Sequence, residues 1–273
     1  MSEPPEIPAH GESIGVEIKS LRDQLTVSSG WGIMVDLAGV RRSRNVLQSN
    51  WFELDTLIGP FKFDVQVALD VFANPVDPMR WERFLNGLDA PLHNYVAAVK
   101  SLVDHQRIVS ETYLAGENRD RYQDEVKRRF INSPGSQFVQ QLRDYLLHVR
   151  LPVTAGSFSF ARGTDGPEHG SVAHSITLDV PSMMKWKKWN LRSREYFKRS
   201  GDNLDLHEAL AIYYADADDF HNWFDRHIRE CNLDAINEAQ DLIDAHNALV
   251  ERLTGELVVL KSDPSIDQGV GPF

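Results

Sequence analysis

Residues 133–162, SPGSQFVQQLRDYLLHVRLPVTAGSFSFAR, contain the change of hydrophobic period that decides the fold. In the first half of this stretch the apolar residues recur at intervals of three and four, which is typical of an amphipathic helix: Phe138, Leu142, Tyr145 and Val149. Ser133 suits the N-cap, Pro134 suits the first turn, and Pro152 follows the predicted carboxyl end. In the second half, apolar residues alternate with small or polar ones, which is typical of a strand.

A second alternating stretch, SVAHSITLDV (171–180), follows the cluster GTDGPEHG (163–170). Two runs of period two around glycine, proline and aspartate residues predict a β-hairpin with a long loop. We therefore expect one hairpin over about residues 153–180.

The sequence before residue 133 has a helical period. One helix is predicted to begin at Asp89 as N-cap, with Pro91 in its first turn, and to continue through Val109. A second, highly charged helix is predicted over about residues 118–131.

Two further regions are predicted to be helical. One helix should start near Asp64 and end at residues 74–75, where asparagine and proline occur. Residues 203–260 form either one very long helix or two helices broken near Asn232, and we favour the break because asparagine can cap a new helix.

These elements predict a mainly α protein, a helical bundle with one inserted β-hairpin. Residues 1–13 and 262–273 have no hydrophobic period and are predicted to be disordered tails. Residues 14–261 are predicted to form a single, mainly helical domain. Its subdivision into a bundle over 14–152 and carboxyl-terminal helices over 181–261 stays open.

The composition is that of a globular protein, with 42% hydrophobic and 25% charged residues. The single cysteine, Cys231, excludes an intramolecular disulfide, favours a reducing compartment and is expected to be a small buried residue on a helix. The longest apolar stretch, residues 31–40, contains Asp36 and is far shorter than the roughly 20 residues that span a bilayer. The amino terminus is acidic and proline-rich, so we expect no signal peptide and a cytoplasmic protein without a membrane partner.

Three polar residues, Arg143, Asp144 and His148, share the helix that opens the quoted stretch. Asp144 and His148 are four residues apart, so the carboxylate can face and orient the imidazole. A histidine can transfer the protons of RNA cleavage, and an arginine can stabilise charge on the phosphoryl oxygens, without a metal. Arg143 and His148 are five residues apart and lie about 140° apart around the helix. They could best address one phosphate if two copies of the helix met in a dimer.

The run Arg143-Asp144-Tyr145-Leu146-Leu147-His148 resembles the Arg, polar, x3–5, His motif of the HEPN superfamily. That resemblance implies an all-helical homodimer, a metal-independent ribonuclease of toxin–antitoxin, defence or RNA-processing type, and a site in a cleft between protomers. Arg143 and His148 would match the catalytic pair, and Asp144 the polar position, where asparagine is more common in the family. The hairpin after the motif is not a general family feature, and some HEPN-like proteins have no known nuclease activity.

A basic segment, KWKKWNLRSREYFKRS (185–200), carries seven cations and one acid in a chain of net charge −11. The predicted nucleic-acid-binding residues are Lys185, Lys187, Lys188, Arg192, Arg194, Lys198 and Arg199. The interleaved aromatic residues either stack on unpaired bases or pack into the bundle, with the cations as its solvated rim.

Another group, Asp218, His221 and Asp225, falls on one face of a predicted helix. Such residues can ligate a divalent metal, but no matching ligand pair occurs elsewhere. We interpret the group as a solvated polar face and expect neither a metal nor a cofactor.

Two functions follow from these patterns. The first is an RNA-binding homodimer, with or without endoribonuclease activity, that has RNA and an antitoxin or other protein as partners. The alternative is a non-enzymatic protein whose helices over 203–260 form an interaction or oligomerisation surface. The enzyme hypothesis requires Arg143 and His148 to be accessible to solvent and close to their symmetry mates in the dimer.

Overall fold

The computed structural model describes residues 9–72, 76–149, 152, 154–161 and 171–262. The α-helices are α1 (Ala9–Val27), α2 (Ser29–Phe63), α3 (Val65–Phe72), α4 (Arg80–Tyr113), α5 (Gly116–Val126), α6 (Pro134–His148), α7 (Val180–Met183), α8 (Leu191–Ser200), α9 (Leu206–Cys231) and α10 (Leu233–Ser262). A π-helical turn, Lys127–Ile131, continues α5. The strands are β1 (Thr154–Ala161), β2 (Ser171–Asp179) and β3 (Asn203–Asp205). The predicted class, mainly α with an inserted β-hairpin, is confirmed.

The chain divides into two compact units. The first contains residues 1–38 and 229–273, and the second contains Gly39–Ile228. Within the first unit α1 packs on α10, and the second unit contains the sheet and α3 to α8. The predicted single domain over 14–261 stays a prediction, and most of both predicted tails lies outside the described residues.

Helix α6 begins as the sequence predicts. The Ser133 hydroxyl accepts a hydrogen bond from the Ser136 backbone N–H, and Pro134 occupies the first turn. Phe138, Leu142 and Tyr145 are buried, so one apolar face holds this helix in the core of the second unit.

Helix α4 begins earlier than predicted. It starts at Arg80, so the prediction of an N-cap at Asp89 and a first-turn Pro91 was wrong, and Pro91 lies inside the helix. An internal proline removes one backbone hydrogen bond and costs about 3 kcal/mol. Leu88, Leu92 and Tyr95 are buried on one face on both sides of Pro91, and their burial offsets this cost.

Three other predicted helix boundaries are confirmed. The Asp64 carboxylate accepts from the backbone N–H of Gln66 at 2.8 Å and caps α3, whose predicted stop at residues 74–75 lies outside the described residues. The charged helix over 118–131 is α5 with its π-helical continuation. The long region after residue 203 is broken at Asn232, between α9 and α10. Cys231 ends α9 but is half-buried, not buried as expected.

The sheet has the order β1-β2-β3 and is antiparallel. Thr154 pairs with Leu178 in the predicted hairpin. Strand β3, in which Leu204 pairs with Leu178, was predicted as helix, and that prediction was wrong. Three residues are too few to show a period of two, and the Asp205 carboxylate that ends β3 also caps α9 by accepting from the Glu208 N–H at 2.9 Å.

Within the described residues, no helix is long and apolar enough to cross a bilayer. The apolar stretch over residues 31–40 lies in α2, where Ile33, Leu37 and Val40 are buried and Asp36 is exposed.

Candidate nucleic-acid interface

The motif residues lie in the last two turns of α6 and are accessible to solvent. The side chain of Arg143 is 36% exposed and that of Asp144 is 54% exposed, and His148 is also exposed. The accessibility that the enzyme hypothesis requires is therefore present within the protomer.

The contacts of Asp144 differ from those expected. Its carboxylate lies 3.6 Å from the Arg143 guanidinium, and no hydrogen bond joins it to His148 in the described part of the chain. The orientation of His148 by Asp144 stays a prediction. The Arg143 contact places a negative charge beside the guanidinium, which a bound phosphate would have to displace.

The basic segment, residues 185–200, covers the turns after α7 and all of α8. Asn190 caps α8, because its side-chain oxygen accepts from the Ser193 N–H at 2.8 Å. Arg194 holds the preceding turn: its guanidinium donates to the backbone oxygens of Trp189 at 3.0 Å and Lys187 at 2.6 Å. This segment is therefore an ordered part of the second unit.

Two of the four aromatic residues of the basic segment, Trp189 and Phe197, pack into the core, whereas Trp186 and Tyr196 are half-buried. Trp189 is 3% exposed and Phe197 is 1% exposed, so neither can stack on a base. Phe138 of α6 lies 5.4 Å from Phe197, and Tyr145 of α6 stacks on Trp189 with ring centroids 5.4 Å apart. The alternative that these aromatics belong to the bundle is the one observed for both rings.

Most cations of the basic segment are exposed at the surface of the second unit. Arg192 pairs with Glu195 at 3.0 Å, and Arg194 is half-buried by its backbone contacts. The remaining cations are exposed and form no ion pair with the described residues: Lys185, Lys187, Lys188, Lys198 and Arg199. Five solvated cations are thus available to an anionic partner.

Polar contacts attach the basic segment to one face of α6. The side-chain oxygen of Gln141 accepts from the Asn190 backbone N–H at 2.8 Å, and that of Gln137 accepts from the Asn190 side-chain amide at 2.7 Å. Gln137, Gln141 and Tyr145 are four residues apart, and His148 follows Tyr145 by three, so all four share one helix face. His148 therefore lies one turn beyond the docked segment, on the same face.

Arg143 lies on the other flank of the buried stripe of α6. The offset of about 140° from His148 spans the exposed side of α6, where Asp144 and Leu147 lie between the two side chains. One protomer thus presents His148 on the helix face to which the basic segment attaches and presents Arg143 away from that face.

The acidic–histidine group on α9 is not the solvated face that we expected. Arg44 of α2 lies 2.6 Å from the Asp218 carboxylate, and Arg41 lies 3.4 Å from that of Asp225. His221 is 5% exposed, so the prediction of a solvated face was wrong at this residue. Among the described residues, no group of three or more possible ligands could hold a metal ion.

The structure also contains a histidine–carboxylate pair that the sequence did not indicate. His207 Nε2 lies 2.7 Å from an Asp55 oxygen, and the histidine side chain is 9% exposed. Trp51 and Phe63 flank the ring, with centroids 5.6 and 5.3 Å away. Because 152 residues separate the two partners, no local pattern could have identified the pair.

No protein-family model, no curated protein and no solved structure matches this chain. The resemblance to the HEPN superfamily therefore depends on Arg143, Asp144 and His148 alone.

Proposed function

We propose that this protein binds RNA and cleaves it as a metal-independent endoribonuclease of toxin or defence type, acting as a homodimer. The observation that carries the proposal is the docking of the basic segment on α6. The exposed Lys185 and Lys187 flank Trp186. The ring centroid of Trp186 lies 5.7 Å from that of Tyr145, about one turn before His148 on the same helix face. A histidine next to solvated cations has both the acid–base group and the phosphate-binding charge that RNA cleavage needs.

The proposed chemistry divides the work among three side chains. His148, as the neutral imidazole, removes the proton of a ribose 2′-hydroxyl, whose oxygen then attacks the adjacent phosphorus. The bond from phosphorus to the 5′-oxygen breaks, and that oxygen takes up a proton from water, while the proton that His148 removed is released to the solvent. Arg143 stabilises the charge that develops on the phosphoryl oxygens, and Asp144 orients His148 once Arg143 has turned to the phosphate.

The dimer follows from the positions of Arg143 and His148 on α6. An angle of about 140° around the helix separates them within one chain, so a second copy of α6 supplies the Arg143 that faces a given His148. The lysines at residues 185–188 then guide the RNA strand toward the paired helices.

The test is cleavage of labelled single-stranded RNA of mixed sequence in EDTA, after the protein has been sized by light scattering. We expect His148→Ala and Arg143→Ala each to lower the rate by about 100-fold or more. His93→Ala, which changes an exposed histidine on α4, is the matched control and should cleave like wild type.

Mixing the two inactive variants tests whether each site is shared between protomers. A heterodimer of Arg143→Ala and His148→Ala contains one site with both groups intact. Random exchange should therefore restore about a quarter of wild-type activity. No recovery would contradict the shared site, and no cleavage by a folded wild-type dimer would favour the non-enzymatic interaction protein. Equal cleavage by every variant would identify a contaminant.

A further inference from the structure

We propose that the cavity between α2, α4, α5, α6 and α9 binds a small, uncharged and mainly apolar molecule that carries one hydrogen-bonding group. The cavity lies in the second unit and has a volume of about 300 Å³. This volume is at the lower end of the range of small-molecule sites, roughly 300–1,000 Å³. The inference is independent of the proposed ribonuclease activity.

The wall of the cavity is largely apolar. Its apolar side chains include Leu47, Val99, Leu102, Val103, Phe130 and Phe220. An apolar wall with few polar groups is the usual lining of a ligand site, since the wall supplies affinity and the polar groups supply orientation.

One polar side chain in the wall has no partner. Gln106 is 4% exposed, and its amide nitrogen has no hydrogen bond with the described residues. The other polar groups differ: Tyr122 is hydrogen-bonded to Ser110, and the Tyr213 hydroxyl accepts from Gln140 at 3.4 Å. An unpaired buried amide is destabilising, and a ligand with a carbonyl or lactam group would satisfy it.

The charged residues of the lining already have partners, which indicates an uncharged ligand. Arg107 pairs with Glu111 at 3.3 Å, and both side chains are more than half exposed. Arg119 donates to the backbone oxygens of Leu114 at 3.0 Å and of Glu111 at 2.7 Å. A charged ligand would enter this apolar space without a counter-charge, at a high desolvation cost.

The π-helical turn lies at the cavity. Phe130 and Ile131 belong to this turn and line the wall, and the wider turn is closed by the Asn132 N–H, which donates to the Lys127 oxygen at 2.9 Å. Such turns are rare and occur frequently at functional sites. The π turn is therefore a second, independent indication of a site here.

The test uses two probes of the same size, quinolin-2-one and naphthalene, titrated calorimetrically into the full-length protein. The lactam of quinolin-2-one offers both a donor and an acceptor to the Gln106 amide, and naphthalene offers neither. We expect wild type to bind quinolin-2-one at least about tenfold more tightly than naphthalene. Gln106→Leu should bind the two probes equally, whereas the exposed control Gln66→Leu should keep the preference.

Two substitutions that fill the cavity complete the test. Val103→Phe and Ala217→Leu should each weaken the binding of both probes at least about tenfold, by occupying the space. Circular dichroism verifies folding, and either variant suffices if the other does not fold. Absence of quinolin-2-one binding to wild type, or equal binding of both probes, would overturn the proposal. Unchanged binding in the filled variants would place the site elsewhere and would also overturn it.

Discussion

At the scale of single residues, the buried histidines of the second unit differ in how their ring nitrogens are satisfied. His174 Nδ1 lies 2.5 Å from the backbone oxygen of Phe61, and His227 Nε2 lies 3.0 Å from that of Asn118. His221 is also buried, but its Nδ1 has no partner among the described residues. Leaving such an atom unpaired costs about 1–3 kcal/mol, so His221 is a point of low local stability.

The surroundings of His221 disfavour the charged form of its ring. Burial lowers the pKa of His221, because the charged imidazolium loses its hydration. Asp225 and Asp218 oppose this effect, whereas Arg44 and Arg41 add to it, and the net direction is down.

We therefore expect His221 to make folding dependent on pH. Because the pKa is lower in the folded protein, the unfolded chain binds more protons as the pH falls below about 6.5, and the free energy of unfolding decreases. Replacing His221 by leucine should remove this contribution and reduce the loss of stability between about pH 7.5 and 5.5. Urea unfolding at the two pH values measures it.

The exposed histidine His93 provides the control for this prediction. His93→Leu should leave the pH dependence of wild type unchanged, since this side chain is exposed and is not desolvated on folding. If His221→Leu and wild type lose equal stability on acidification, the prediction fails.

At the scale of elements, helices α2 and α10 approach each other closely within the first unit. A Cβ atom on Gly30 would lie 2.6 Å from the carbonyl carbon of Ala235 and 2.8 Å from the Cβ of Ala239. Ala239 is fully buried, so the contact cannot relax into solvent. Glycine is required here because α2 meets the backbone of α10.

We expect Gly30→Ala to lower the free energy of unfolding by about 1–3 kcal/mol, because the new methyl group forces the two backbones apart. Gly15→Ala on α1 is the matched control in the same unit. Its Cβ would meet nothing within 4 Å, so it should stabilise α1 by about 0.5–1 kcal/mol. Thermal unfolding of both variants measures the two effects. Equal unfolding midpoints for Gly30→Ala and Gly15→Ala would contradict the close approach of α2 and α10.

At the scale of the whole molecule, charge is distributed unevenly. The basic segment carries a formal charge of +6, which leaves −17 for the rest of a chain whose net charge is −11. An acidic protein repels a polyanion in general, so RNA binding would have to depend on this one segment.

Within the basic segment, the exposed lysines should affect RNA binding and the buried Trp189 should affect stability. Replacing Lys185, Lys187 and Lys188 by glutamine should weaken binding to single-stranded RNA and reduce the slope of log K against log salt by about 2. The free energy of unfolding should not change, because the three side chains are exposed.

Trp189→Ala should instead lower the free energy of unfolding by about 3–5 kcal/mol, since it leaves a cavity at a core position.

The control for the lysine variant removes the same charge elsewhere. Lys19, Arg22 and Arg42 are exposed cations outside the basic segment, and their triple replacement by glutamine should leave RNA binding near the wild-type level. An equal loss of binding in both triple variants would mean that net charge alone governs the interaction. Fluorescence anisotropy with labelled RNA, over a series of salt concentrations, distinguishes the two cases.

The sequence by itself determined the features that depend on neighbouring residues. The start of α6 at Pro134 with its Ser133 cap, the start of α3 after Asp64, the hairpin and the break at Asn232 all follow from local capping, turn propensity and period. The positions of Arg143 and His148 on opposite flanks of α6 also followed from helix geometry.

Only the tertiary structure decided the features that depend on distant partners. Burial of the flanking apolar residues stabilises α4 across Pro91. Pairing with β2 holds the three residues of β3 as a strand, and contact with Tyr145 of α6 buries Trp189 in the core. The same holds for the ion pairs that Asp225 and Asp218 of α9 form with Arg41 and Arg44 of α2. The physical reason is that caps and periods act over a few residues, whereas burial free energy depends on which surfaces meet, and that is set by the packing of segments far apart in the chain.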